Sequence, residues 1–71
     1  MHYIYEVECV SVKRDDLEKI IKWLNSNNIE NVKTDEKLLI KFYDFYEVYR
    51  FEKVIKALKA GFSFEDAIKI I

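Results

Sequence analysis

The chain has 71 residues, of which 51% are apolar and 35% charged, with one Gly and no Pro. That length leaves room for one domain, residues 1–71, and excludes a two-domain enzyme; its small core makes support from a partner surface or a second copy an expectation. Twelve basic residues stand against thirteen acidic ones, a balance that argues against a chain whose main property is electrostatic capture of nucleic acid.

The first strand is predicted over residues 2–12, where Tyr5, Val7 and Cys9 fall on one face and Glu6 and Glu8 on the other. Asp15 then reads as an N-cap with Glu18 three residues on, and Leu17, Ile20, Ile21 and Leu24 keep the spacing of an amphipathic helix. Asn25-Ser26-Asn27-Asn28 ends it, because Asn tolerates the left-handed cap conformation. Ile29–Thr34 and Leu38–Tyr43 flank Asp35-Glu36 as a hairpin, with Leu38, Ile40 and Phe42 pointing in and Lys41 out.

Asp44 with Glu47 forms a second capping box, and Val48, Phe51, Ile55 and Leu58 are the buried stripe of a second helix that stops at Gly61. Ser63 with Asp66 starts a short final helix whose apolar face is Phe64, Ala67, Ile68 and Ile71. The order is β-α-β-β-α-α, an α+β fold. A small three-stranded antiparallel sheet with the helices packed on one face gives it a single core, and a right-handed crossover inserts the third strand between the first two.

No apolar run approaches the ~20 residues that span a bilayer, and Met1-His2-Tyr3-Ile4-Tyr5-Glu6 lacks the pattern of a signal peptide. A soluble, cytoplasmic protein is expected, with no membrane among its partners. Abundant Lys, Glu and Ile with no Gln or Pro is compatible with thermophily. The lone Cys9 closes no internal disulfide and, with the lone His2, supplies no zinc site.

Catalysis has little to draw on. His2 and Cys9 fall on opposite faces of the predicted strand, out of hydrogen-bond reach, so Cys9 reads as a small core residue. Glu6 and Glu8 share a face but have no third ligand for a cation. One glycine cannot build a phosphate loop. No catalytic residue, metal ligand or cofactor site is expected.

Phe42-Tyr43-Asp44-Phe45-Tyr46-Glu47-Val48-Tyr49-Arg50-Phe51 is the densest aromatic stretch. Periodicity turns Phe42 and Phe51 inward and leaves Tyr43, Phe45, Tyr46 and Tyr49 for the surface. There they suit a protein interface, with Tyr46 and Tyr49 as its candidates, or a platform for stacked bases. Arg50, Lys53, Lys56 and Lys59, three apart, form a slanting basic ridge that could follow a phosphate backbone or be a solvated helix face. Lys13 and Arg14 add two cations at a strand-to-helix junction, partly cancelled by Asp15 and Asp16. Lys59 to Ala67 has the look of a helix-turn-helix corner, but its last helix is too short and apolar to read DNA. Ile70 points away from the final helix's apolar face and is a candidate for self-association.

From Val54 through Ala60-Gly61-Phe62-Ser63-Phe64-Glu65-Asp66-Ala67 to Ile71, the chain resembles the end of the first KH-type domain in archaeal and eukaryotic ribosome-assembly proteins with paired KH domains. In that family a strand and a long helix lead into an Ala-Ile-Gly-Arg-Gly-Phe-like corner followed by Ser-Pro-Glu-x-Ala. Gly61, Phe62, Ser63, Glu65 and Ala67 match; Lys59, Ala60 and Phe64 replace the first Gly, the Arg and the Pro. The resemblance covers residues 37–71. The first half departs: where the RNA-gripping Gly-x-x-Gly loop would fall stands Lys13-Arg14-Asp15-Asp16, so none of the family's RNA-binding positions carries over. The resemblance implies a degenerate KH-like module for protein contacts within a ribonucleoprotein assembly. Its partner would be a second copy or another protein, with RNA as the alternative partner through Arg50, Lys53, Lys56 and Lys59 and through Lys13 and Arg14.

Overall fold

Alternating burial along the most apolar strand organises the sheet. In the computed structural model, which describes residues 1–71, β3 (Lys37–Phe42) buries Leu38, Ile40 and Phe42 and turns Lys37, Leu39 and Lys41 to the opposite face. It lies between β1 (Tyr3–Glu8) and β2 (Asn31–Lys33), antiparallel to both, so the order is β1-β3-β2. The register runs from Tyr3 opposite Phe42 to Glu8 opposite Lys37 on one side, and from Asn31 opposite Ile40 to Lys33 opposite Leu38 on the other. This is the expected α+β fold with the third strand inserted.

Three helices cover one face of this sheet: α1 (Arg14–Ser26), α2 (Phe45–Lys59) and α3 (Phe64–Ala67). Leu17, Ile20 and Leu24 of α1 and Phe51, Val54, Ile55 and Leu58 of α2 meet Val7, Leu38, Ile40 and Phe42 in a core closed by Phe64 and Ala67. Phe51 is the hub of its aromatic part, with ring centroids 5.5 Å from Phe42, 5.8 Å from Tyr5 and 6.3 Å from Trp23. Every buried residue is apolar and no buried side-chain N or O lacks a partner. Any chemistry must therefore sit on the surface.

The two long helices end in the same turn. After α2, the Phe62 N–H reaches the Ala57 carbonyl (3.1 Å) and the Gly61 N–H the Leu58 carbonyl (3.0 Å); after α1, Ile29 reaches Leu24 (2.8 Å) and Asn28 reaches Asn25 (3.1 Å). Each pair of bonds requires a left-handed residue between helix and exit, supplied by Gly61 (φ 101°) and Asn28 (φ 58°).

Several end signals act differently from expectation. The chain enters α1 from extended Lys13, which makes no side-chain cap, so Asp15 is not the N-cap; Asp15 and Asp16 lie in the first turn, where they favour the positive end of the helix dipole. Asp44 caps α2 through the Tyr46 N–H (2.9 Å) with no return bond from Glu47. Ser63 caps α3 through the Asp66 N–H (3.1 Å), as its spacing predicts. β1 stops at Glu8 because Cys9–Ser11 wind into a 3₁₀ turn, with Ser11 Oγ donating to the Glu8 carbonyl at 2.7 Å. β2 is shorter than Ile29–Thr34, since Ile29 and Asn28 are spent on the α1 exit turn. Beyond Ala67 the chain tightens into a 3₁₀ turn at Ile68–Ile70, which shifts the phase and leaves Ile71 exposed rather than on the buried face.

Candidate interaction surface

Burial of Phe51, Val54, Ile55 and Leu58 decides what α2 shows to solvent, because residues on its opposite side follow from the same 3.6-residue period. That side carries Tyr46, Tyr49 and Lys53. The Asp44 cap fixes the start of the helix, and Tyr43 and Phe45 flank it. Tyr43, Phe45, Tyr46 and Tyr49 are 66%, 61%, 67% and 50% exposed, a concentration of large rings around the β3–α2 junction. Tyr3 joins them from β1, its ring edge-on to Phe45 at 6.0 Å. Two lysines lie over these rings, Lys53 Nζ 4.5 Å from the Tyr49 centroid and Lys41 Nζ 5.5 Å from that of Tyr43. The aromatic stretch thus divides cleanly: Phe42 and Phe51 build the core, and the others build a surface.

Arg50, Lys53, Lys56 and Lys59 are all exposed along α2. Lys56 is paired with Glu52 (3.3 Å); Arg50, Lys53 and Lys59 have no carboxylate partner. Lys59 lies beside β1, lining a shallow groove with Glu6 and Glu8, so the far end of the ridge meets negative charge. Lys13 and Arg14 do not extend it. Arg14 lines a different groove, of about 590 Å³, with Lys33 and the apolar Val12, Leu17 and Ile21, and no α2 lysine contributes there.

Ile70 does not join the aromatic surface either. It sits with Phe62 beside Ala57, about three helical turns, roughly 16 Å, along α2 from Tyr46. Its neighbour α3 is a four-residue helix that buries Phe64 and Ala67 and presents Glu65 and Asp66. The corner from Lys59 to Ala67 therefore offers carboxylates where a DNA-reading helix would offer donors.

No family model matches the chain, and no curated protein or solved structure does. What it can do chemically is read from its own side chains. His2 and Cys9 stand at opposite ends of β1, and Cys9 packs half-buried against the core. Glu6 is held by Lys37 Nζ (3.3 Å), and no group of three or more His, Cys, Asp or Glu is gathered for a metal ion. Two groups titrate away from their ordinary values. Burial, helped by the charge of Glu52, raises Tyr5; Glu65 is lowered by its own backbone N–H and by Lys19, 3.2 Å away.

Sequence reasoning passes over two surface features. One is the open sheet face, where Ile4 and Val32 are exposed around a half-buried Leu39. The other is the free edge of β1. The alternation of Ile4, Glu6 and Glu8 with Tyr3, Tyr5 and Val7 signals the face, but the edge becomes visible only once the pairing is known.

Proposed function

We propose that this chain is a non-catalytic binding module, a degenerate KH-like domain that docks another protein through the aromatic surface at the start of α2. The observation that carries this reading is the exposure of Phe45, Tyr46 and Tyr49 on one solvent-facing run of a helix whose other side is fully used by the core. Large rings bring much contact area at little entropic cost and are enriched at protein interfaces and their hot spots. The interior holds only apolar side chains, which supports a role without chemistry. The order of β3, α2 and the Gly61-Phe62-Ser63 corner agrees with the KH-like resemblance.

A second reading, single-stranded RNA binding along α2, draws support from Arg50, Lys53 and Lys59 being free of ion pairs and from Lys53 lying over Tyr49 (4.5 Å). The two readings separate by salt and by side chain. A phosphate-tracking ridge releases counterions, so affinity falls steeply with added salt. For the module, binding of labelled single-stranded RNA at physiological salt is expected to be too weak to measure. Proteins recovered by the wild type should be lost with Tyr46→Ala or Tyr49→Ala and kept with Lys53→Glu/Lys56→Glu. Loss of an aromatic anchor costs about 2 kcal/mol or more. A tight, salt-sensitive RNA complex abolished by the two charge reversals would exchange the readings.

A further inference from the structure

The register decides which main-chain groups of β1 are used. The Cys9 N–H donates to the Glu36 carbonyl directly opposite (2.9 Å), and opposed residues in an antiparallel pair alternate between bonded and non-bonded. Counting back along the ladder, Val7, Tyr5 and Tyr3 turn their N–H and C=O toward β3, whereas Glu8, Glu6 and Ile4 turn theirs away. The other side of β3 is in the matching phase. The Lys41 N–H donates to the Glu30 carbonyl (2.9 Å) and the Thr34 N–H to the Lys37 carbonyl (2.8 Å), so Lys37 and Lys41 serve β2.

The outward groups end at a definite point. The Glu8 carbonyl is taken by Ser11 Oγ (2.7 Å), where the chain bends into its 3₁₀ turn. Ile4 and Glu6, with His2 in the same phase, are left open. A strand edge of this kind is a template for another strand unless a proline, a bulge, an inward charge or a covering element blunts it. β1 has no proline and an unbroken register, and a shallow groove runs between its side chains and Ile55 and Lys59 of α2.

We propose that this edge pairs with a second copy of the chain, β1 antiparallel to β1 about a two-fold axis through Ile4, joining the two sheets into one. This register pairs the main-chain groups of His2, Ile4 and Glu6, leaves over only the Glu8 N–H, and sets complementary side chains opposite each other. Ile4 meets Ile4 of the second copy, the His2 imidazole meets the Glu6 carboxylate, and on the helix-covered face Tyr3 meets Tyr5. Lys37 engages one oxygen of Glu6 and leaves the other free. Centring the axis on Tyr5 would place His2 opposite Glu8, whose carbonyl is already used. Centring it on Glu6 would set like charges face to face, which destabilises cross-strand pairs. The inference does not rest on the aromatic docking reading, since Tyr46 and Tyr49 lie on the outer side of α2.

Ile4→Pro tests it directly. Position 4 donates no ladder bond within the monomer, and proline is tolerated on an edge strand when its nitrogen faces outward. Sedimentation velocity of the full chain from low to high micromolar concentration should show a monomer–dimer equilibrium. Ile4→Pro should raise the dissociation constant about tenfold or more while the circular dichroism spectrum and melting curve stay those of the wild type. Amide exchange followed by NMR gives a reading that needs no variant: Ile4 and Glu6 protected at high concentration and fast on dilution, Tyr5 and Val7 protected throughout. Tyr46→Ala and Tyr49→Ala should leave the dimer intact. A strictly monomeric wild type, a dimer that survives Ile4→Pro, free exchange of Ile4 and Glu6 within a dimer, or a dimer abolished by the tyrosine variants would each overturn the edge pairing.

Discussion

β1 and β2 flank the same central strand and end the sheet in opposite ways. β2 has three residues, arrives from the tight exit of α1, and is pinned by Asn31, whose Nδ2 donates to the Ile29 carbonyl and to Asn25 Oδ1, each at 2.9 Å. β1 has six residues, is joined to β3 over its full length, and keeps its outward main chain bare up to the Ser11 bond. A short, side-chain-fastened edge offers little to a passing strand, whereas a long plain one offers a template. The two edges thus differ in length and in anchoring: the shorter is tied to the end of α1, and the longer runs plain beside β3.

The sharpest way to test the contrast within β1 is to place proline at neighbouring positions. Tyr5→Pro removes a ladder bond to β3 and the Tyr5–Phe51 ring contact (5.8 Å); it is expected to cost about 3 kcal/mol or more, read as a collapse of the melting temperature. Ile4→Pro, one residue away, should leave the monomer's stability nearly unchanged. Equal losses at both positions would mean the ladder phase is wrong.

On the other edge the expected effect is smaller. Asn31→Ala removes both fastening bonds and should cost about 1 kcal/mol in chemical denaturation, with faster amide exchange confined to β2 and the end of α1. A global loss with uniform exchange would show that β2 is not a separately pinned edge.

The smallest effect is one of pH. Tyr5 titrates above its ordinary value of 10.0 because burial and Glu52 disfavour the phenolate. The unfolded chain therefore gives up this proton first. Stability is at its full value below pH 10.0 and declines as pH rises through the raised value in the folded state. Tyr5→Phe should flatten this alkaline decline in a series of melts; an unaltered decline would place its source elsewhere.

Much of the architecture was legible because it rests on periodicity. Leu38, Ile40 and Phe42 at a period of two, and Leu17, Ile20 and Leu24 at helical spacing, name the buried faces without any knowledge of partners. Gly61 and Ser63 act locally, so their neighbours suffice to read them. What misled were signals whose meaning depends on how the chain arrives. Asp15 has the right spacing for a cap, but after the 3₁₀ turn at Cys9–Ser11 the chain enters the helix two residues earlier, from Lys13. Val54, absent from the predicted stripe, is fully buried because α2 meets the rest of the fold over a wider arc than one row of side chains. On the surface, the outward rings of α2 follow from the same helical phase, but the separation of Arg14 from the α2 ridge and of Ile70 from Tyr46 is tertiary. The free amides of β1 are further removed still, since they need a bonded pair at Cys9 and Glu36 to set the phase.

The order β1-β3-β2 also has a consequence in time. β2 and β3 are joined by a short turn in which Thr34 and Lys37 bond each other, so their pairing closes a small loop. β1 must wait for a strand that lies beyond α1 and β2, and closing that longer loop costs more entropy before any contact rewards it. Of the three strands, β1 is made first and waits longest for the partner it shares with β2. Through that interval Tyr3-Ile4-Tyr5-Glu6-Val7 is bare on both edges, and two nascent chains held close together could pair there before either had completed its own sheet.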